Sequence, residues 1–314
     1  MAFIRRWGSA ACHYVVERRM IYESIVQITP IEKGWSGDKK YCALTAEGTK
    51  YLLRISPVER AERKKREFAQ MQRVAELGIP MCLPIECGFC EQGFYSLQSF
   101  VEGEDAEPYI ERLTPAEQYA YGLDAGKILA RIHTIPAPEG VITWSERFNA
   151  KIDRKIKMYA ECPLKYEHGD AEMLDYIAGH RHLLDTRPQT YQHGDYHIGN
   201  MMIDAQGTLT IIDFDRDDYG DPWEEFNRIV WCTQAAPYFA SGMVDGYFAG
   251  QVPAKFWQLL ALYICSNTLG SLPWAIPFGE KEISVMRNQQ AEVLAWYDNM
   301  KREVPSWYVT EENT

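Results

Sequence analysis

Along the 314-residue chain the spacing of apolar and polar positions switches between two periods. Between residues 25 and 56, short runs rich in β-branched and aromatic residues are parted by turn residues: Ile25-Val26-Gln27-Ile28, Lys40-Tyr41-Cys42-Ala43-Leu44, and Thr49-Lys50-Tyr51-Leu52-Leu53-Arg54-Ile55. That pattern predicts a β-meander. From Glu59 to Leu77 the apolar residues Phe68, Met71 and Ala75 fall on one helical face, and Gly78 and Pro80 stop the helix. Cys82 to Phe100 reads as strand again. Beyond Val101 the chain turns mainly helical: Thr114-Pro115-Ala116-Glu117 has the form of a capping box with proline at the first helical position, opening a helix that ends near His133. Further helices are predicted over 150–185, 224–235, 254–270 and 281–300, interrupted by a β-like island from Tyr191 to Ile212. These periods predict an α+β chain: an extension over 1–24, a small β-rich lobe over 25–100 and a larger helical lobe over 101–314.

Composition adds bounds. Apolar residues make up 46% and charged residues 25%, ordinary for a globular protein and unlike a disordered or collagenous chain. No uninterrupted apolar run approaches the roughly 18–20 residues of a membrane span, and the first twenty residues lack the apolar core of a secretory signal. Eight cysteines without a regular framework fit a reducing compartment, so a cytoplasmic protein is expected. The net charge of −11 argues against nucleic acid or anionic lipid as partner. The charge is also uneven, +4 over residues 1–100 and −15 over the remainder, which suggests that the two parts meet partners of opposite sign.

The island carries the chemistry. It reads His193-Gly194-Asp195-Tyr196-His197-Ile198-Gly199-Asn200, then an apolar run and a Gln206-Gly207 turn, then Leu209-Thr210-Ile211-Ile212-Asp213-Phe214-Asp215. A loop Asp, an Asn five residues on and an Asp after a hairpin are the groups phosphoryl transfer asks for: a carboxylate to orient the acceptor hydroxyl and oxygen ligands for Mg²⁺ on the phosphates. Two rivals exist. Cys82, Cys87 and Cys90 could suggest zinc or redox chemistry, but no second pair stands at matching spacing, and buried thiols are expected. His193, Asp195 and His197 could chelate a transition metal, yet that leaves Asn200 and Asp213 unexplained.

The spaced set H-G-D-x-x-x-x-N followed by an apolar strand and D-x-D resembles the aminoglycoside phosphotransferase-like small-molecule kinases, relatives of choline kinase and the protein kinases. The resemblance runs from about residue 28 to 235 and implies a two-lobed protein-kinase-like fold. It implies Asp195 as catalytic base, Asn200 and Asp213 as metal ligands, and His193 and Asp221 as structural support; Asp215 stands where protein kinases have glycine. In the small lobe it implies that Gly34, Ser36 and Gly37 cover the phosphates of ATP or GTP and that Arg54 meets them as a cation. Lys50 shares Arg54's strand face, so alternation alone does not decide between the two. Glu67 is the expected ion-pair partner, and Gln98, Ser99 and Val101 the hinge that receives the base.

The resemblance further implies a small-molecule hydroxyl as acceptor, since Asp213 runs too soon into Gly220-Asp221-Pro222 for a protein-docking segment. Asp217, Asp218, Glu224 and Glu225 are expected to receive a cationic acceptor, with Trp223, Trp231, Trp257 and Trp274 as possible apolar walls. An aminoglycoside is the first expectation, and with it antibiotic resistance. A choline, homoserine or thiosugar kinase is the alternative, and a nucleotide-binding pseudokinase the reading from another class. Oligomeric state is not legible.

Overall fold

A computed structural model describes residues 20–32 and 37–309. Strands β1 (Ile25–Ile31), β2 (Lys39–Thr45), β3 (Lys50–Ser56), β4 (Pro84–Cys90) and β5 (Gly93–Ser99) form one antiparallel sheet in the order β1-β2-β3-β5-β4. Helix α1 (Ala61–Ala75) lies between β3 and β4 in the chain. The remainder comprises β6 (Gly103–Asp105), α2 (Ala106–Glu111), α3 (Pro115–Ile132), α4 (Trp144–Glu161), α5 (Asp170–His180), β7 (Thr190–Gln192), β8 (Met201–Asp204), β9 (Leu209–Ile211), β10 (Asp218–Gly220), α6 (Ile229–Ala235), α7 (Pro237–Phe248), α8 (Ala254–Ala275) and α9 (Glu280–Trp296). A β-rich first part followed by a helical one is the two-lobed kinase-like architecture.

The predicted capping box at Thr114 and Glu117 is present in full. A second one, on Thr143 and Glu146, starts α4 earlier than the predicted 150, and the chain breaks between Glu161 and Asp170, where one helix was expected. Helix α7 was not predicted because it has no polar face: it is buried from Phe239 to Gly246. It packs backbone to backbone on α3. A Cβ on Gly122 or Gly126 would stand 2.2 Å from a carbonyl of α7, and one on Gly242 or Gly246 would come as close to α3. Hydrogen in place of a side chain lets the two axes approach.

Residues on both sides of the expected boundary at 101 share one core. A small sheet core holds Ala43, Leu53, Ile55, Tyr95 and Leu97, whereas Met71 and Val74 of α1, with Ile79, Met81 and Cys82, belong to the large helical core. Pro80 O accepts from Ile211 N, and Cys82 N donates to Ile211 O, both at 3.0 Å. Thus α1 and the segment after it tie the sheet to the hairpin that carries Asp213. Helix α8 is long and apolar enough to cross a membrane, but 72% of its most apolar window is buried inside the protein, as suits a core helix.

Candidate active site

The loop after β7 is held by bonds to its backbone. Gly194 has φ +82°, and a Cβ there would stand 1.9 Å from Arg216 O, so only glycine fits. His193 is fully buried. Its Nε2 lies 3.0 Å from Ile212 O and its Nδ1 3.3 Å from Asp195 N; a carbonyl only accepts and an amide only donates, so the proton sits on Nε2. Asn200 Nδ2 donates to Asp195 O at 2.8 Å, and Asn200 O accepts from Ile212 N at 3.0 Å. The Asp195 loop and the hairpin are therefore stitched together. His197 accepts from Gly199 N at 3.1 Å through Nδ1. Burial lowers its pKa to about 4, with the Arg228 charge acting in the same direction, although Asp195 opposes the shift.

The carboxylate of Asp195 is flanked by two cations, Arg228 Nε at 3.2 Å from Oδ1 and Arg216 Nη1 at 3.4 Å from Oδ2. Neither was singled out in the sequence. Arg216 immediately follows Asp215 and could have been noticed there.

Asp213 follows β9 with φ +67°, a left-handed conformation uncommon for a residue with a side chain. Arg54, nearly buried on β3, bridges the lobes: Nη1 donates to Asp213 Oδ1 at 2.6 Å and Nη2 to Asp215 Oδ2 at 2.5 Å. The β2–β3 register sets Lys40 opposite Arg54, and opposite residues share a face; Lys40 Nζ lies 3.6 Å from Asp213 Oδ2. Burial alone would raise the Asp213 pKa, but the Arg54 and Lys40 charges outweigh it and hold the carboxyl below its ordinary value. Lys50 instead pairs with Glu102 at the surface, 2.6 Å away. Glu67 does not pair with Arg54. It is held by Arg63 at 2.6 Å and Lys64 at 2.8 Å, while Asp38, unremarked in the sequence, accepts from Ser56 at 2.8 Å and lies between Lys64 and Arg54.

The other expected nucleotide contacts are less gathered. Gly34 and Ser36 lie outside the described residues; Gly37 is exposed beside Arg60. Gln98 is buried, its amide nitrogen 3.6 Å from Met71 Sδ. The Ser99 N–H is already donated to Leu83 O at 2.8 Å, so the backbone free to meet a base begins at Phe100 and half-buried Val101.

Three of the four carboxylates expected to receive a cation are already engaged. Glu225 is buried and accepts from Gly194 N at 2.9 Å and Tyr196 N at 3.3 Å, so it braces the Asp195 loop. Glu224 accepts from Lys151 Nζ at 2.9 Å and Gln192 Nε2 at 3.3 Å. Asp218 pairs with Arg147. Asp217 has no cation bonded to it among the described residues; burial, then Glu67 and Asp218, raise its pKa to about 6. Asp221 is fully buried, accepting two bonds from Arg187 at 2.7 Å and one from Tyr263 at 2.5 Å. Trp223 lies under Arg187, 3.7 Å from ring centre to guanidinium carbon, and Trp257 is buried in the core, while Trp231 is half-buried and Trp274 exposed.

Among the described residues no three His, Cys, Asp or Glu side chains converge as a ready metal site, the cysteines of β4 included. Asn200 and Asp213 offer a small set of hard oxygen donors. That fits Mg²⁺, which binds through one or two protein ligands together with substrate phosphates, and does not fit zinc.

The model of a family described as phosphotransferase enzymes matches residues 27–257. No curated protein matches the chain. Among solved structures, a thermostable mutant of aminoglycoside phosphotransferase APH(4)-Ia bound to ADP and hygromycin B is 16% identical over 87% of this chain and 95% of its own, with a TM-score of 0.61. An amicoumacin kinase in complex with AMP-PNP, Ca²⁺ and Ami is 13% identical over 95% and 97%, TM-score 0.63. A choline/ethanolamine kinase family protein from Mesorhizobium loti is 14% identical over 91% and 94%, TM-score 0.62. At such identities the likeness is one of fold.

Proposed function

The chain belongs to the phosphotransferase enzyme family, and from that premise we propose that it transfers the γ-phosphoryl group of ATP or GTP to a hydroxyl of a small molecule. The observation that carries the reading is Arg54 reaching from the small lobe onto Asp213, beside a base loop fixed at His193, Asn200 and Glu225. Asp195 orients the acceptor hydroxyl and takes its proton as the oxygen attacks the γ-phosphorus and the bond to the nucleoside diphosphate breaks. Arg54 and Lys40 are the cations for the nucleotide phosphates, with Gly37 shortly before Lys40 in the chain and Val101 at the hinge. Asn200 and Asp213 would hold Mg²⁺, which when bound offsets the phosphate charge.

The free cysteines among the described residues suit the cytoplasm, where nucleotide and Mg²⁺ are at hand. The expectation of a cationic acceptor, an aminoglycoside first, rested on the −15 balance of residues 101–314, the family resemblance and four carboxylates; three of those carboxylates are engaged within the protein, so the cluster itself lends it little. The test measures ADP or GDP release with Mg²⁺ over a panel of cationic, neutral and anionic hydroxyl compounds. Release that depends on both acceptor and metal is expected, and it disappears in Asp195→Asn. Failure of the protein to bind either Mg²⁺–nucleotide would sink the reading.

A further inference from the structure

The wall beside Asp195 is basic, and the reading above leaves most of it unused. Lys151 and Lys155 stand one turn apart on α4. Lys155 lies along α8, its methylenes 3.2–3.3 Å from where a Cβ on Gly270 would be and its Nζ donating to Asn267 Oδ1 at 3.1 Å. Arg228, against Asp195, is close enough to Lys155 and Glu224 to perturb the titration of both. With Arg216 on the far oxygen of Asp195, four cations surround two carboxylates.

Those carboxylates do not discharge the wall. Glu224 is claimed by Lys151 and Gln192, and Asp195 has an arginine on each oxygen. Arg228 Nε is buried without hydrogen-bond geometry to any partner. Burial, and then the neighbouring Lys151, push the Lys155 ammonium down to about 7, because a second like charge is costly where water is scarce. A polycation brought here would add to that repulsion. An anion would relieve it by pairing with the Lys155 ammonium.

We propose that the acceptor carries an anionic group, a carboxylate or phosphate, bound between Lys155 and Arg228 while its hydroxyl lies on Asp195. The hydroxyl's role rests on the kinase reading; the anion's does not.

The experiment separates the two. Binding of Mg²⁺ with AMP-PNP is measured first by calorimetry, and its absence would count against the kinase reading alone. Inorganic phosphate, gluconate, glucose and glucosamine are then titrated into the protein, with the nucleotide site filled where it fills, and into Lys155→Met. Phosphate and gluconate are expected to bind at least about tenfold tighter than glucose or glucosamine, and Lys155→Met to lose that margin. Should the variant fold poorly, acetylation of Lys155 in the unaltered protein, followed by mass spectrometry at pH 7, gives the same answer: gluconate slows it and glucosamine does not. Glucosamine binding as well as gluconate, or anion affinity and Lys155 acetylation indifferent to each other, would overturn the proposal.

Discussion

In the small lobe the groups that meet Asp213 are long cations on strand faces, Arg54 and Lys40, held there by ion pairs and by the two hydrogen bonds Arg54 donates. In the large lobe the Asp195 loop is held by side chains that bond its backbone: Glu225 to Gly194 and Tyr196, His193 to Ile212, and Asn200 to Asp195. The sheet core numbers five buried residues, and β1 is exposed along most of its length, whereas α8 is buried on nearly every side. On the proposed function, the charges of the small lobe would change partners when a nucleotide binds. The large lobe offers a loop whose shape is fixed before any ligand binds, which is what positioning a reacting hydroxyl requires.

Four perturbations bear on that contrast. The largest should be Asp195→Asn, lowering kcat by ~10²–10⁴ while Mg²⁺–nucleotide affinity and the urea midpoint stay close to wild type; wild-type turnover would remove Asp195 from the chemistry. Next comes Asp221→Ala, which takes the buried partner from half-buried Arg187 and should cost about 3–5 kcal/mol in urea unfolding. A loss below ~1 kcal/mol would mean that the base of the large lobe is not held as described. Arg54→Met should weaken nucleotide binding by ~10–100-fold, since charge-assisted bonds are worth about 1.5–3 kcal/mol. Arg54→Lys should recover part of that, and Lys50→Met should change little.

The smallest effect is one of pH. His197 stays neutral in the fold down to about 4, against an ordinary value of 6.5. Between those values the unfolded chain binds the extra proton and the native one does not, so stability rises with pH across the window. The urea midpoint should drop from pH 7.5 to pH 4.5 by an amount worth ~1–3 kcal/mol, less so in His197→Gln. Equal drops in both proteins would assign the pH dependence elsewhere.

Much of the large lobe's machinery could be read in advance because it is local. Asp195 and Asn200 share one loop, Asp213 follows one hairpin later, and a Thr-Pro-x-Glu capping box announces its own helix. Short-range geometry ties such residue types to their positions whatever the rest of the chain does. Alternation did not separate Arg54 from Lys50, which lie on one strand face; the fold gives Arg54 the Asp213 carboxylate of the other lobe and Lys50 the surface Glu102. Glu224 and Glu225 were expected to receive a cationic acceptor, but folding turned them toward Lys151 and the Asp195 loop. Lys155 carried no signal, since its significance comes from α8 and Arg228, distant in sequence. Residue type and spacing determined the reaction class. The sign of the charge beside the base was decided only in three dimensions, because a net charge sums over the chain while a ligand meets the few groups within a Debye length of it.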